Sequence, residues 1–217
     1  MIEILDPQKL INLYTKGFFP MAESVTSNEI KFYKPIKRLV IPIYDFHLPK
    51  KLFRKFKKNI YTFTLNKNFN EVIYHCASPR KKNKDTWINE VIKNSYIKLN
   101  KLNIAHSIEC WRGKELVGGL YGVHIGSCFF GESMFSKISN ASKLCLMYLV
   151  LILIKNKFLL LDSQFYNSHL LQFGAYEISD YEYQKKLKKG LAKKTKFIDD
   201  FNFQESLLIL HSLTQTS

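Results

Sequence analysis

AHSIECWRGKELVGGLYGVHIGSCFFGESMFSKISNASK, residues 105–143, decides how the rest of the chain is read. AHSIECW alternates like a half-buried strand, WRGK turns at Gly113, and ELVGGLYGV returns as its partner. A second turn at residues 125–126 leads into SCFFGESMF, a third strand, so the spacing predicts an antiparallel meander. Gly118, Gly119, Gly122 and Gly131 fall inside these strands, where glycine ordinarily weakens pairing. They mark bulges or a close approach by a ligand.

Charge sets the same stretch apart. Residues 1–104 carry 20 basic and 8 acidic side chains, residues 105–180 carry 6 of each, and residues 181–217 carry 7 and 4. A net charge of +15 points to a polyanionic partner, since lysine and arginine gain from phosphate neutralisation and counterion release. Solvated charged faces are the alternative reading of the same number. The neutral centre is taken to hold the chemistry and the basic flanks the polyanion. At 46% hydrophobic the chain is globular, and 217 residues make one large domain or two small ones.

Several classes drop out. Cys76, Cys110, Cys128 and Cys145 form no CxxC pair, so no cysteine metal site is expected, and buried reduced thiols fit the cytosol. MIEILDPQKL lacks the basic-then-apolar order of a secretory signal. The longest apolar run, residues 144–154, is too short to cross a bilayer, so no membrane partner is expected. P-loop and GxGxxG patterns are absent, and GESMF is not a nucleophile elbow, which leaves Ser133 a poor nucleophile.

Upstream of the meander, Asp6, Pro7 and Gly17 cap, start and stop a short helix. GFFPM (17–21) reads as an aromatic turn, and residues 32–42 lead into a strand. A basic helix follows at 50–58, a strand at 61–65 and a helix at 68–77. Next come a basic loop (Arg80, Lys81, Lys82, Lys84) and a helix capped by Asp85 or Thr86, with Trp87 in its first turn. Downstream, Ser139 or Asn140 caps a nearly all-apolar helix with Leu146, Leu149 and Leu153 on one face. An apolar strand (158–164), a short helix stopped by Gly174 and a last strand complete the pattern. After Tyr181 the chain is lysine-rich, with a weaker helix or tail over 201–213. The order predicts an α+β sheet whose central helix packs on one face, with a join between lobes near 80–104.

Asp162 and Gln164 close the apolar strand two residues apart, so both side chains are expected on one face. A carboxylate there can hold a hydrogen-bonding neighbour in one orientation or attract a cation. It can equally cap the next helix. Glu132, inside an apolar strand beside Gly131, needs a partner if buried, and a ligand ammonium is one. His106, His124 and His169 have no evident partner in the sequence.

Seven segments then occur in a characteristic order and spacing: TWI (86–88), AHSIECW (105–111), LVGGLYGV (116–123), GESMFS (131–136), NASK (140–143), LLDSQ (160–164) and HLLQFGA (169–175). Together they resemble the leucyl/phenylalanyl-tRNA–protein transferases over nearly the whole chain. The resemblance implies a GCN5-related acyltransferase-like catalytic lobe at 86–217 and a smaller N-terminal α/β lobe at 1–85 that meets the tRNA end and the donor. It implies transfer of leucine or phenylalanine, methionine less well, from aminoacyl-tRNA to the α-amine of proteins beginning with Arg or Lys. These then enter N-end-rule degradation. It also implies a cytoplasmic monomer that uses no cofactor or metal.

Residue by residue, Asp162 and Gln164 match the family's catalytic pair, with Asp162 orienting and polarising Gln164 and the Gln164 amide oxygen accepting a proton from the attacking amine. The donor pocket maps to Leu120, Phe129, Gly131, Glu132, Met134, Leu146, Leu149, Leu153 and Leu161. The tRNA end maps to Met21 and Trp87. Three departures stand out. Met21 replaces a common tryptophan, FYKP (32–35) replaces WWSP, and most of a leader with a GGDL-like element is missing. Leu149 and Leu153 stand where aromatics are frequent, which implies a roomier pocket. Two other readings compete: a CoA-dependent N-acetyltransferase, for which SKISNASK lacks the R/Q-x-x-G-x-G/A loop, and a non-enzymatic RNA-binding module, which would be indifferent to Asp162 and Gln164.

Overall fold

A computed structural model describes residues 4–27, 29–78 and 85–215; the basic loop at Arg80, Lys81, Lys82 and Lys84 lies outside the described residues. In chain order the elements are α1 (Pro7–Thr15), β1 (Phe19–Ala22), β2 (Ile30–Tyr33), β3 (Lys37–Val40), α2 (Lys50–Lys57), β4 (Thr62–Leu65), α3 (Phe69–Ala77) and α4 (Glu90–Lys101). They continue with β5 (Ala105–Arg112), β6 (Glu115–Ile125), β7 (Cys128–Ser136), α5 (Ala141–Lys155), β8 (Leu160–Asp162), a 3-10 helix (Ser168–Phe173), β9 (Tyr176–Ser179), α6 (Asp180–Ala192) and α7 (Phe203–Gln215).

The predicted meander is β5-β6-β7, paired antiparallel with shifts of register at Cys110/Trp111 and at Tyr121/Gly122. It forms the middle of a seven-stranded sheet ordered β4-β5-β6-β7-β8-β3-β9. Only β7 and β8 run parallel, and α5 is the crossover between them. The strands β3 and β4, both from before residue 86, thus belong to the same sheet as the meander. A separate hairpin, β1-β2, carries Met21 opposite Lys31, so GFFPM enters a strand and not only a turn.

The sheet is covered on both faces. Helix α5 is buried on every side from Leu144 to Leu153, as an all-round apolar helix must be, and shares one core with α2 and α7. On the other face α1, α3, α4 and α6 form a second core. Gly118 lets α5 lie directly on the meander, since a Cβ there would sit 2.5 Å from the Ala141 Cβ. The glycines of the central strands therefore answer to helix packing and bulges as well as to any ligand.

Several local expectations are corrected. Helix α4 begins at Glu90, not at Trp87, because Asn89 is the cap and accepts from the Ile92 N–H at 2.8 Å. Asp85 is used instead on the Val25 and Thr86 backbone. Asn140 precedes α5 with φ +71° and makes no side-chain cap; the Ser136 hydroxyl, four residues earlier, accepts from the Ser142 N–H. The lysine-rich stretch after Tyr181 is a helix, α6, started by a capping box between Ser179 and Glu182. Strand β8 is only three residues long, and that shortness makes the site.

Candidate active site

Strands β7 and β8 pair only through Cys128–Leu160, Phe129–Leu161 and Phe130–Asp162. Beyond Phe130, β7 continues to Ser136 beside β6, while the chain leaves β8 after Asp162. A cleft opens where the parallel pair ends, at the carboxyl ends of the strands, the usual place for a ligand in such a sheet. It leads into a cavity of about 270 Å³. Its walls include Leu120, Gly131, Glu132, Met134, Leu146, Leu149 and Leu161, all expected from the sequence, together with Ile41 and Leu170, which were not. Phe129 and Leu153 stand outside the lining. Phe129 shares the α5-side core with the cavity residues but stacks on Phe197 instead of lining the cavity, and Leu153 lies a turn too far along α5, fully in the core.

A second cavity, about 440 Å³, adjoins the first; Trp87 and Ser133 border both. Met21 lines it, with Tyr33 beside it on the hairpin. The two cavities thus share Trp87 and Ser133 as walls, with Met21 in the second and the apolar pocket in the first.

Glu132 lies in the wall of the apolar cavity. Its Oε1 accepts from the Tyr14 hydroxyl at 2.6 Å and from the Gln164 side-chain Nε2 at 2.8 Å, and its Oε2 accepts from the Tyr96 hydroxyl at 3.1 Å. The two tyrosine hydroxyls also bond each other. Burial pushes the Glu132 carboxyl up to about 7, although the three donors and their hydrogen bonds pull the other way. Tyr14 and Tyr96 are raised well above the ordinary phenol value, first by burial and then by the nearby Glu132 charge. The sequence reading expected a ligand ammonium to satisfy this carboxylate. In the free chain three neutral donors do so.

Because Glu132 is harder to ionise here than in the unfolded chain, its contribution to stability is complete below about pH 4.5 and is lost as pH rises through 7. Glu132→Gln is therefore expected to gain on wild type between pH 5 and pH 8. The gain is on the order of 2 kcal/mol, less than the full shift because the group is partly open to the cavity. Denaturant melts of both proteins across that range check it; a constant difference would refute it.

Asp162 is completely buried, as is Arg38 of β3. The Arg38 Nε and Nη2 donate to Asp162 Oδ1 and Oδ2 at 2.9 and 2.7 Å, and Nη1 donates to the Gly17 carbonyl at 3.0 Å. Tyr183 of α6 donates to Asp162 Oδ2 at 2.8 Å, and its ring lies 4.4 Å under the guanidinium. Burial works against the Arg38 charge, but Asp162 outweighs it and holds the group above its ordinary value. Gln164 has φ +65°, so β8 has ended before it and strand alternation does not set its direction. Asp162 meets Gln164 at the backbone, accepting its N–H at 2.8 Å.

Tyr14, Tyr96, Tyr183 and Arg38 were missed by sequence reasoning. The signal was present: a tyrosine on an apolar helix face carries a hydroxyl that must find a partner once buried. Among the described residues no three His, Cys, Asp or Glu side chains converge as a metal-ligand set.

The sequence profile described as leucyl/phenylalanyl-tRNA protein transferase matches residues 40–188, which contain the meander, α5 and the Asp162–Gln164 turn. The chain belongs to this family. A leucyl/phenylalanyl-tRNA–protein transferase of Zymomonas mobilis is 43% identical over 192 residues, covering 88% of this chain and 72% of its own. One of Caulobacter vibrioides is 45% identical over 183 residues, covering 84% of each. The solved structure of L-PGS from Bacillus licheniformis covers 95% of this chain and 70% of its own with a TM-score of 0.42 at 12% identity, too distant to bear on the site. In this member of the family the expected catalytic pair, Asp162 and Gln164, meets at the Gln164 N–H, while the Gln164 side chain contacts Glu132, the residue expected in the donor pocket.

Proposed function

We propose that this transferase moves leucine or phenylalanine, and methionine less well, from the 3′ ester of an aminoacyl-tRNA to the α-amine of proteins whose first residue is Arg or Lys. The observation that carries this reading is the apolar cavity lined by Leu120, Met134, Leu146, Leu149 and Leu161, with Glu132 in its wall and in contact with Gln164. The donor side chain enters that cavity, and the terminal adenosine lies in the adjoining cavity between Met21 and Trp87, where ring stacking is worth about 1–3 kcal/mol per base. The ester carbonyl then falls near Ser133, which borders both cavities, with Glu132 beside it in the wall of the first. Glu132, in its ionised form, faces the donor's ammonium.

The acceptor amine attacks the ester carbonyl, a carbon–nitrogen bond forms, and the carbon–oxygen bond to the ribose breaks. The proton lost by the amine ends on the ribose oxygen. The amide nitrogen of Gln164 is committed to Glu132, which leaves its Oε1 to accept a hydrogen bond from the amine and relay the proton. An α-amine has a pKa of about 7.7–8.0, so part of it is neutral at pH 7 and no strong base is needed. The donor ester is already activated, so positioning supplies most of the acceleration.

The splayed β7–β8 pair and its crossover helix support a GCN5-related acyltransferase-like arrangement for residues 86–217, with residues 1–85 supplying β1, β2 and their tRNA-end contacts. The same reading makes the protein a cytoplasmic monomer feeding N-end-rule degradation; no helix among the described residues is long and apolar enough to cross a membrane. The test mixes purified protein, labelled Leu-tRNA and a peptide beginning with Arg. Label is expected on that peptide and not on one with an acetylated N-terminus. Equal labelling of both, or of neither, would overturn the proposal.

A further inference from the structure

Asp162 has no capacity left for the side chain of Gln164. An ionised carboxylate offers about four acceptor positions. Here Oδ1 takes the Arg38 Nε and the Gln164 N–H, while Oδ2 takes the Arg38 Nη2 and the Tyr183 hydroxyl. The Gln164 amide nitrogen points the other way, to Glu132. Whatever Asp162 does for Gln164, it does through the main chain.

That main chain is held on both sides. The Ser163 N–H donates to the Leu39 carbonyl and the Leu39 N–H donates to the Gln164 carbonyl, each at 3.0 Å. Leu39 follows Arg38 on β3, so one strand supplies both the guanidinium and the two backbone clamps. The left-handed φ of Gln164 is sparsely populated for a residue with a side chain and persists only where surroundings over-determine it. Arg38 is itself braced by the Gly17 carbonyl, by the Phe19 ring at 4.9 Å and by Tyr183. Gly17, Arg38 and Tyr183 come from three separate parts of the chain, which makes this a built device and not a local turn.

We propose that Arg38 and Tyr183 are positioning residues for the transfer reaction: they lock Asp162, and Asp162 locks the Gln164 backbone so that the Gln164 amide meets Glu132 and the acceptor amine. Asp162 then serves as the centre of a clasp, with its charge directed at Arg38 and not at the reacting groups. This rests on the reading of Gln164 as the hydrogen-bond acceptor for the amine.

The test uses the full chain with Leu-tRNA and an Arg peptide. Arg38→Ala is expected to lower kcat about 100-fold, the scale of an ångström-sized misplacement. Tyr183→Phe, which keeps the packing and removes one hydrogen bond, is expected to lower it about fivefold. In both the donor KM stays within about twofold, because the apolar pocket is untouched. Arg38→Lys keeps the charge without the fork, and its kcat should lie between wild type and Arg38→Ala. The Gln164 amide resonance should shift in Tyr183→Phe, which keeps the test open if Arg38→Ala fails to fold. Wild-type kcat in a folded Tyr183→Phe whose Gln164 resonance is unmoved would overturn the clasp, as would a loss seen only in donor KM. A fully active Gln164→Ala would instead overturn the underlying reading, so the two failures are distinguishable.

Discussion

Gln164→Ala is expected to lower the rate of leucine transfer to an Arg peptide by at least about 100-fold, the lower end of what a positioned proton-transfer group contributes. The substitution removes the amide whose nitrogen is held by Glu132 and whose oxygen is assigned the acceptor role for the amine. It leaves the Arg38–Asp162 ion pair whole, and the backbone bonds of residue 164 do not depend on its side chain. The variant should therefore melt within a few degrees of wild type. Asp162→Ala is the less clean experiment. It strands the buried Arg38 charge, which costs about 3–5 kcal/mol of stability by itself. A fall in activity there would mix catalysis with unfolding. Transfer by Gln164→Ala at the wild-type rate would remove Gln164 from the mechanism.

The second large effect is expected at the donor pocket. Leu149 lies on the face of α5 that lines the cavity and is almost fully buried. Leu149→Trp fills part of a space of about 270 Å³ with an indole and should penalise the larger donor most. Transfer from Phe-tRNA, read as kcat/KM, should fall about 10–200-fold relative to Leu-tRNA, the range that one or two methylene-sized changes command in an apolar site. Helix α5 also carries the core, so overpacking is expected to cost about 1–3 kcal/mol. Measurement well below the melting temperature separates the two. Leu153→Trp makes a sharp contrast, because Leu153 faces the core and not the cavity. It should lower stability without changing the Phe-to-Leu ratio. An unchanged ratio in Leu149→Trp would place the donor side chain elsewhere.

Leu146, Leu149 and Leu153 share a face by helical spacing, yet only the first two reach the cavity, because the cleft is shorter than the helix. Glu132 was legible as anomalous, a carboxylate in an apolar strand, but its partners come from α1, α4 and the turn after β8. No spacing within β7 could name them. Arg38 is the extreme case. In the sequence it is one basic residue among many in a basic half of the chain, and only burial distinguishes it. The same holds for Tyr183, on a lysine-rich stretch that reads as solvated.

What the sequence determined by itself was the local order: a glycine-punctuated meander, an apolar helix after it, and a short strand ending in Asp162 and Gln164, along with the family that this order resembles. Turn chemistry and hydrophobic period are written in neighbouring residues, so they survive reading one segment at a time. The tertiary structure alone decided that β3, from the N-terminal part of the chain, pairs beside β8 and delivers Arg38 to Asp162. It alone decided that the parallel pair ends at Phe130 and opens the cavity, and that Gln164 reaches Glu132 through a left-handed turn. These are long-range pairings and buried charges, whose energies depend on what surrounds a group in space and not on what adjoins it in the chain.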